Sequence, residues 1–176
     1  VGAPDDDHEA LLDADGMLEV AKGSFSIEPF LVTPAGVQGW SESRTAQALD
    51  GGWRPIPEVV RVHPPLRLAT RVFAAGSAGK ARVYASYRVE NTGDAPARGE
   101  LRLAVRPLQV LPPWQSLNLR PVLAPIRALA FADGAVLVDG APRVFPLAPP
   151  EGFHAGELDG RGLADLRGPR APAARP

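Results

Sequence analysis

The chain contains no cysteine, which excludes disulfides, thiolate catalysis and cysteine-based zinc sites at once. Lysine is nearly missing: only Lys22 and Lys80 are lysines, and the other basic side chains are arginines. Charge of one sign is lacking too. A formal net charge of −1 gives no general attraction to nucleic acid or to an anionic membrane. No apolar run approaches the roughly 18 residues needed to cross a bilayer. Helical periodicity is scarce, because 18 glycines and 20 prolines punctuate the chain every few residues. A length of 176 residues still suffices for one domain with a proper core. The sequence begins Val1-Gly2-Ala3, without a methionine or an apolar signal region, and reads as an excised piece of a longer protein. Absence of cysteine fits cytosol and export equally, so the compartment stays open.

What the chain does have is strict alternation. In residues 80–90, Ala81, Val83, Ala85, Tyr87 and Val89 share one face, while Lys80, Arg82, Ser86, Arg88 and Glu90 share the other. That period of two predicts a half-buried strand. Residues 91–96 (NTGDAP) carry turn chemistry, and residues 98–106 return with Leu101, Leu103 and Val105 inward and Glu100, Arg102 and Arg106 outward. Together they predict a long antiparallel hairpin with one wet face, its arginines and glutamates paired across strands. Further strands are expected at 24–32, 58–63, 66–74 and 126–132, with Pro64-Pro65 separating the second from the third. A short hairpin over 135–138 and 143–147 should turn at Asp139-Gly140. Only residues 7–12 and 44–49 could form a helical turn or two. The expected fold is all-β: an antiparallel, supersandwich-like β-sandwich with long hairpins and little helix. Residues 1–14 and 166–176 read as linkers around a folded body at 15–165.

Few residues suggest chemistry. Asp5-Asp6-Asp7-His8-Glu9 has the composition of a metal site, but successive residues of a tail do not converge on one ion without support. Asp13-Ala14-Asp15-Gly16 lacks the remaining acidic positions of a calcium loop and reads as a turn. Catalytic residues, cofactors and metals are therefore not expected. His8, His63 and His154 are the only histidines, with no nucleophile elbow near them. Gly76–Lys80 lies between two strands rather than before a helix, and reads as a hairpin loop. Glu28, Glu42, Asp50 and Glu58 are carboxylates that strands commonly expose, and no two can be set across a cleft from sequence. The aromatic and amide set remains: Trp40 and Trp53 flanking a polar stretch, and Trp114, Gln115 and Asn118 beyond the strand that ends at Arg106. Tryptophan beside amides and arginine makes a sugar platform, the ring on C–H faces and the polar groups on hydroxyls. A sandwich also buries tryptophans in its core. That reading competes at Trp40 and Trp53, as does an interdomain plug at Trp114.

Several strings together resemble a known family. They run FSIEPF at 25–30, Gly39-Trp40, WRPIP at 53–57, YRVEN at 87–91, LAVRPLQV at 103–110 and PPWQSLN at 112–118. In this order they are similar to the β-sandwich region of bacterial proteins described as discoidin, or coagulation factor 5/8 type, domain-containing. The likeness covers most of residues 20–158. Those proteins resemble glycoside hydrolases and phosphorylases whose sandwich precedes an (α/α)6 barrel carrying the acid and base. The resemblance implies a domain without a complete active site that adjoins such a barrel. Trp114, Gln115 and Asn118 would then be nearest the barrel or a glycan, with Arg106, Trp40 and Trp53 as further carbohydrate contacts. At Glu42 the family pattern leads one to expect an aspartate.

Overall fold

The computed structural model describes residues 1–110, 123–157 and 171–172, which fall into two compact units, Val1–Ala124 and Pro125–Pro176. No α-helix occurs among the described residues. The larger unit is an antiparallel β-sandwich.

Its first sheet is built around β3 (Ser26–Thr33). Along one side runs β9 (Glu100–Arg106), in register from Ser26↔Arg106 to Val32↔Glu100. The other side is shared. Strand β2 (Leu18–Glu19) takes the start of β3, β4 (Gly36–Gln38) takes its end, and β1 (Leu11–Leu12) pairs outside β2. Between them, residues 28–30 have no ladder partner on that side. The second sheet is a meander of β5 (Arg44–Leu49), β6 (Pro57–His63), β7 (Leu66–Ala75) and β8 (Arg82–Asn91). Pro64-Pro65, joined by a cis peptide, makes the β6–β7 turn, as the sequence predicts. Gly76 opens the β7–β8 loop at φ +134°, where an added Cβ would sit 2.7 Å from Ala81 Cα; no other residue fits there.

The sheets face each other through alternate residues. Ala10, Leu18 and Val72 form one buried cluster, with Leu12, Val83 and Ala85 packed against it. Leu31, Leu66 and Leu68 form another, against Tyr87. Ile27 and Leu31 thus point to the second sheet, while Ser26, Glu28 and Phe30 line the opposite face of β3, also buried.

Several expectations need correction. Residues 80–90 and 98–106 are strands but not a hairpin: β8 pairs with β7 and β9 pairs with β3, in the other sheet. The connecting residues are tied sideways instead, Thr92 N–H and hydroxyl both donating to the Pro65 carbonyl. Alternation identifies a strand, not its partner. Charges do pair across strands, but with different neighbours, as in Arg67–Glu90 at 2.5 Å and Arg71–Glu58 at 3.0 Å. On β9 the exposures are reversed. Leu101 and Leu103 are 36% and 46% exposed because β9 is an edge strand, whereas Arg102 and Arg106 are half-buried. Residues 44–49, considered for a helical turn, form β5, and 7–12 contain β1.

The first fourteen residues belong to the fold rather than to a linker. Ala3 and Ala10 are buried, the Val1 amino group donates to the Ala10 carbonyl at 2.7 Å, and Asp6 Oδ2 accepts from Gly79 N–H at 2.9 Å. The acidic run thereby holds the β7–β8 loop.

The smaller unit carries β10 (Leu129–Ala132), β11 (Ala135–Val138) and β12 (Ala141–Val144) as one antiparallel sheet, and β13 (Gly152–Phe153) paired with β14 (Ala171–Pro172). Asp139-Gly140 turns the β11–β12 hairpin as expected, and Asp133-Gly134 does the same between β10 and β11. All four residues have positive φ, as type I′ turns require. Asp139 also accepts from the backbone N–H groups of Arg127 and Ala128. A single body at 15–165 is therefore replaced by two units. Of the expected 166–176 linker, only 171–172 lie within the described residues.

Candidate functional site

Arg106 does not project to solvent from a wet face. It pairs with Glu28, a carboxylate only 3% exposed on the neighbouring strand β3. Burial pushes the Glu28 carboxyl above its usual range, and Arg106 and then Arg61 oppose the shift. Nearby, Glu19 is fully buried and satisfied by backbone: Oε1 accepts from Gly23 N–H at 2.5 Å and Oε2 from Val110 N–H at 2.6 Å. Leu108 then bridges Leu123, and Ala124 N–H donates to the Pro107 carbonyl at 2.9 Å. These contacts bring Pro107 and Leu108 beside Leu123 and Ala124. Trp114, Gln115 and Asn118 lie outside the described residues.

Trp40 and Trp53 are not core residues, at 55% and 72% exposed. They lie beyond opposite ends of β5, a strand of 6 residues about 17 Å long at the usual rise. Around Trp40, Glu42 accepts from Gly39 N–H at 2.9 Å and from the Ser41 hydroxyl at 2.6 Å. These two bonds hold its carboxyl below the usual range. Gly39 lies against the Phe30 ring, where a Cβ would approach to 3.2 Å.

Around Trp53 the chain makes a tight turn, Asp50–Gly52, with positive φ at Gly51 and Gly52. The Arg54 guanidinium lies 5.3 Å from the Trp53 ring centroid and donates to Asp50 at 2.8 Å. Arg54 keeps the Asp50 carboxyl below its usual range. Arg71 reaches Asp50 at 3.7 Å and Glu58 at 3.0 Å. Beside this network, between the β1–β2 turn and the β5–β6 hairpin, lies a cleft of about 320 Å³. Asp13, in that turn, accepts from the backbone N–H groups of Asp15 and Met17.

Between the sheets lies a polar group that sequence reasoning passed over. Arg61 and His63 follow Val59 on the inward face of β6 and are 1% and 3% exposed. Arg61 crosses the interior to donate to the Pro29 carbonyl, in the stretch of β3 that has no ladder partner on that side. Its Nε and Nη1, both ring nitrogens of His63 and the Tyr87 hydroxyl are buried without a hydrogen-bond partner among the described residues. Burial lowers the pKa of Arg61, and the carboxylates of Glu28, Asp15, Asp13 and Glu42 counter it. Burial also lowers that of His63, helped by Arg61 and opposed by Glu42, and raises that of Tyr87 far above its usual range. In PEVVRVH the buried positions are Val59, Arg61 and His63, with Val60 and Val62 half-buried on the other face.

Each of the four carboxylates weighed for hydrolysis has a local partner: Glu28 with Arg106, Glu42 with Gly39 and Ser41, Asp50 with Arg54, and Glu58 with Arg71. Among the described residues no cluster of three or more His, Asp or Glu side chains could hold a metal ion. No family model, curated protein or solved structure matches this chain.

Proposed function

We propose that the chain is a non-catalytic β-sandwich domain of a larger bacterial carbohydrate-active enzyme. In this reading it packs against an adjoining (α/α)6-type catalytic domain of the same polypeptide and contacts glycan. The observation that carries the proposal is the exposure of Trp40 and Trp53 at the ends of a strand held in a rigid sheet. Large aromatic faces left in water at fixed positions suit stacking on sugar C–H groups. Glu28, Glu42, Asp50 and Glu58 are each engaged in a local bond or ion pair, which is the structural role that the non-catalytic reading gives them.

The same exposed tryptophans would serve a free-standing glycan-binding or adhesion module. Several hundred residues of helical sequence beside this domain in its parent gene favour the enzyme component, and their absence removes it. Calorimetric titration with soluble polysaccharides tests the shared part, with saturable binding expected. Turnover of a glycoside by this chain alone would overturn the non-catalytic assignment.

A further inference from the structure

We propose that the cleft between the β1–β2 turn and the β5–β6 hairpin, together with Trp53 in the turn of that hairpin, binds the end of a neutral glycan. This rests on the carbohydrate reading above and adds to it a place and a sugar class. The cleft, about 320 Å³, is walled by Leu12, Leu49 and Val59, with Asp13, Gln47 and Glu58 as polar members. Apolar walls with a few convergent polar groups, in this size range, are the usual make-up of a small-ligand site.

Trp53 is joined to the cleft by an unbroken run of contacts. The Arg54 guanidinium lies over its ring, Arg54 donates to Asp50, Asp50 meets Arg71 at 3.7 Å, and Arg71 pairs with Glu58 at 3.0 Å. Glu58 lines the cleft. Arg54 covers one face of the indole, yet the residue stays 72% exposed, so the other face is open to stack on a sugar ring. The turn that carries it is fixed by Gly51 and Gly52 and by Asp50 N–H donating to the Ile56 carbonyl at 3.0 Å. Stacking therefore requires little further ordering.

Charge selects the sugar class. Asp13 and Glu58 line the cleft, and the nearby arginines, Arg54 and Arg71, are already paired with Asp50 and Glu58. A uronate or sulfate would meet like charge with no free cation to offset it, whereas sugar hydroxyls can donate to carboxylate oxygens. Gln47 binds the Ala14 carbonyl through Nε2 at 3.1 Å, a bond that does not use its acceptor Oε1. The cleft is thus rich in acceptors and suits a ligand rich in neutral donors.

The test titrates the chain with cello-, xylo- and manno-oligosaccharides and with oligogalacturonate, and repeats the series with Trp53→Ala and Trp114→Ala. At least one neutral series should bind and oligogalacturonate should not. Trp53→Ala should weaken binding about tenfold with its unfolding midpoint unchanged, since the ring is exposed. Unaltered affinity in Trp53→Ala, or preference for oligogalacturonate, overturns the cleft site while the carbohydrate reading survives. Loss of binding in Trp114→Ala alone would move the site from the cleft to Trp114. Failure of the unmodified chain to bind any of the four removes both.

Discussion

The interior between the two sheets has an apolar end and a polar end, and the same strands build both. At one end β7 and β8 offer Val72, Val83 and Ala85 to Ala10, Leu12 and Leu18. Farther along, Leu66, Leu68 and Tyr87 face Leu31, and Arg61 and His63 enter from β6. The apolar end needs only shape and volume to be stable. The polar end needs a partner for every donor and acceptor it removes from water, and the Tyr87 hydroxyl, both His63 nitrogens and two Arg61 nitrogens have none among the described residues. Stability should therefore be concentrated where β1 and β2 close over Val72. The other end contributes specificity of packing at an energetic cost.

The sharpest way to break that contrast is Leu18→Ala. Leu18 is 2% exposed at the centre of the apolar cluster, and a truncated core leucine costs about 2–5 kcal/mol. Urea unfolding should show a loss of that size. A loss under about 1 kcal/mol would mean that β1 and β2 are marginal to the fold.

The sequence carried the strands well and their company poorly. Alternation in 80–90 located β8, and Pro64-Pro65 marked the β6–β7 turn, because both are local properties of a pleated chain. That β9 joins β3 and not β8 depends on a connection between sheets, where Thr92 bonds to Pro65 and the Asn91 side chain bonds Gly93 and Ala95. Pairing across roughly seventy positions of chain leaves no local trace. The prolines and Trp114 stood out in the sequence, but the contacts made on either side of them, Leu108 with Leu123 and Glu19 with Val110, join residues distant in sequence. Trp40 and Trp53 were legible as candidates, while their exposure and their separation by β5 follow only from the fold. Burial of Arg61 and His63 was not legible, because nothing local in PEVVRVH says which face of the strand turns inward.

A second prediction, of intermediate size, uses pH to load the polar end alone. His63 titrates below its ordinary value of 6.5 because burial, and then Arg61, disfavour its charged form, with Glu42 opposing. Well above pH 6.5 the ring is neutral in both states and contributes no slope. Below it, the unfolded chain takes up a proton that the native state does not, so stability falls as pH drops toward the depressed native value. The slope attributable to His63 is at most about 1.4 kcal/mol per pH unit. Urea midpoints at pH 7.5 and 5.5 should diverge less for His63→Gln than for the unmodified chain. Equal divergence would place the pH sensitivity elsewhere.

The smallest effect is expected from Arg61→Met, although Arg61 is among the largest fully buried side chains of the unit. Its guanidinium makes a bond to the Pro29 carbonyl and leaves Nε and Nη1 without partners among the described residues. The desolvation of a buried charge offsets much of what its attractions contribute. Methionine fills a comparable stem volume without that penalty. Glu28 would lose one favourable charge but retain Arg106, its main partner. These changes oppose one another, and the net shift in stability should stay within about 1 kcal/mol of zero. A loss beyond about 3 kcal/mol would mean that Arg61 is fully satisfied in the native protein. The two ends of the interior would then be alike in stabilising the sandwich, each by its own chemistry.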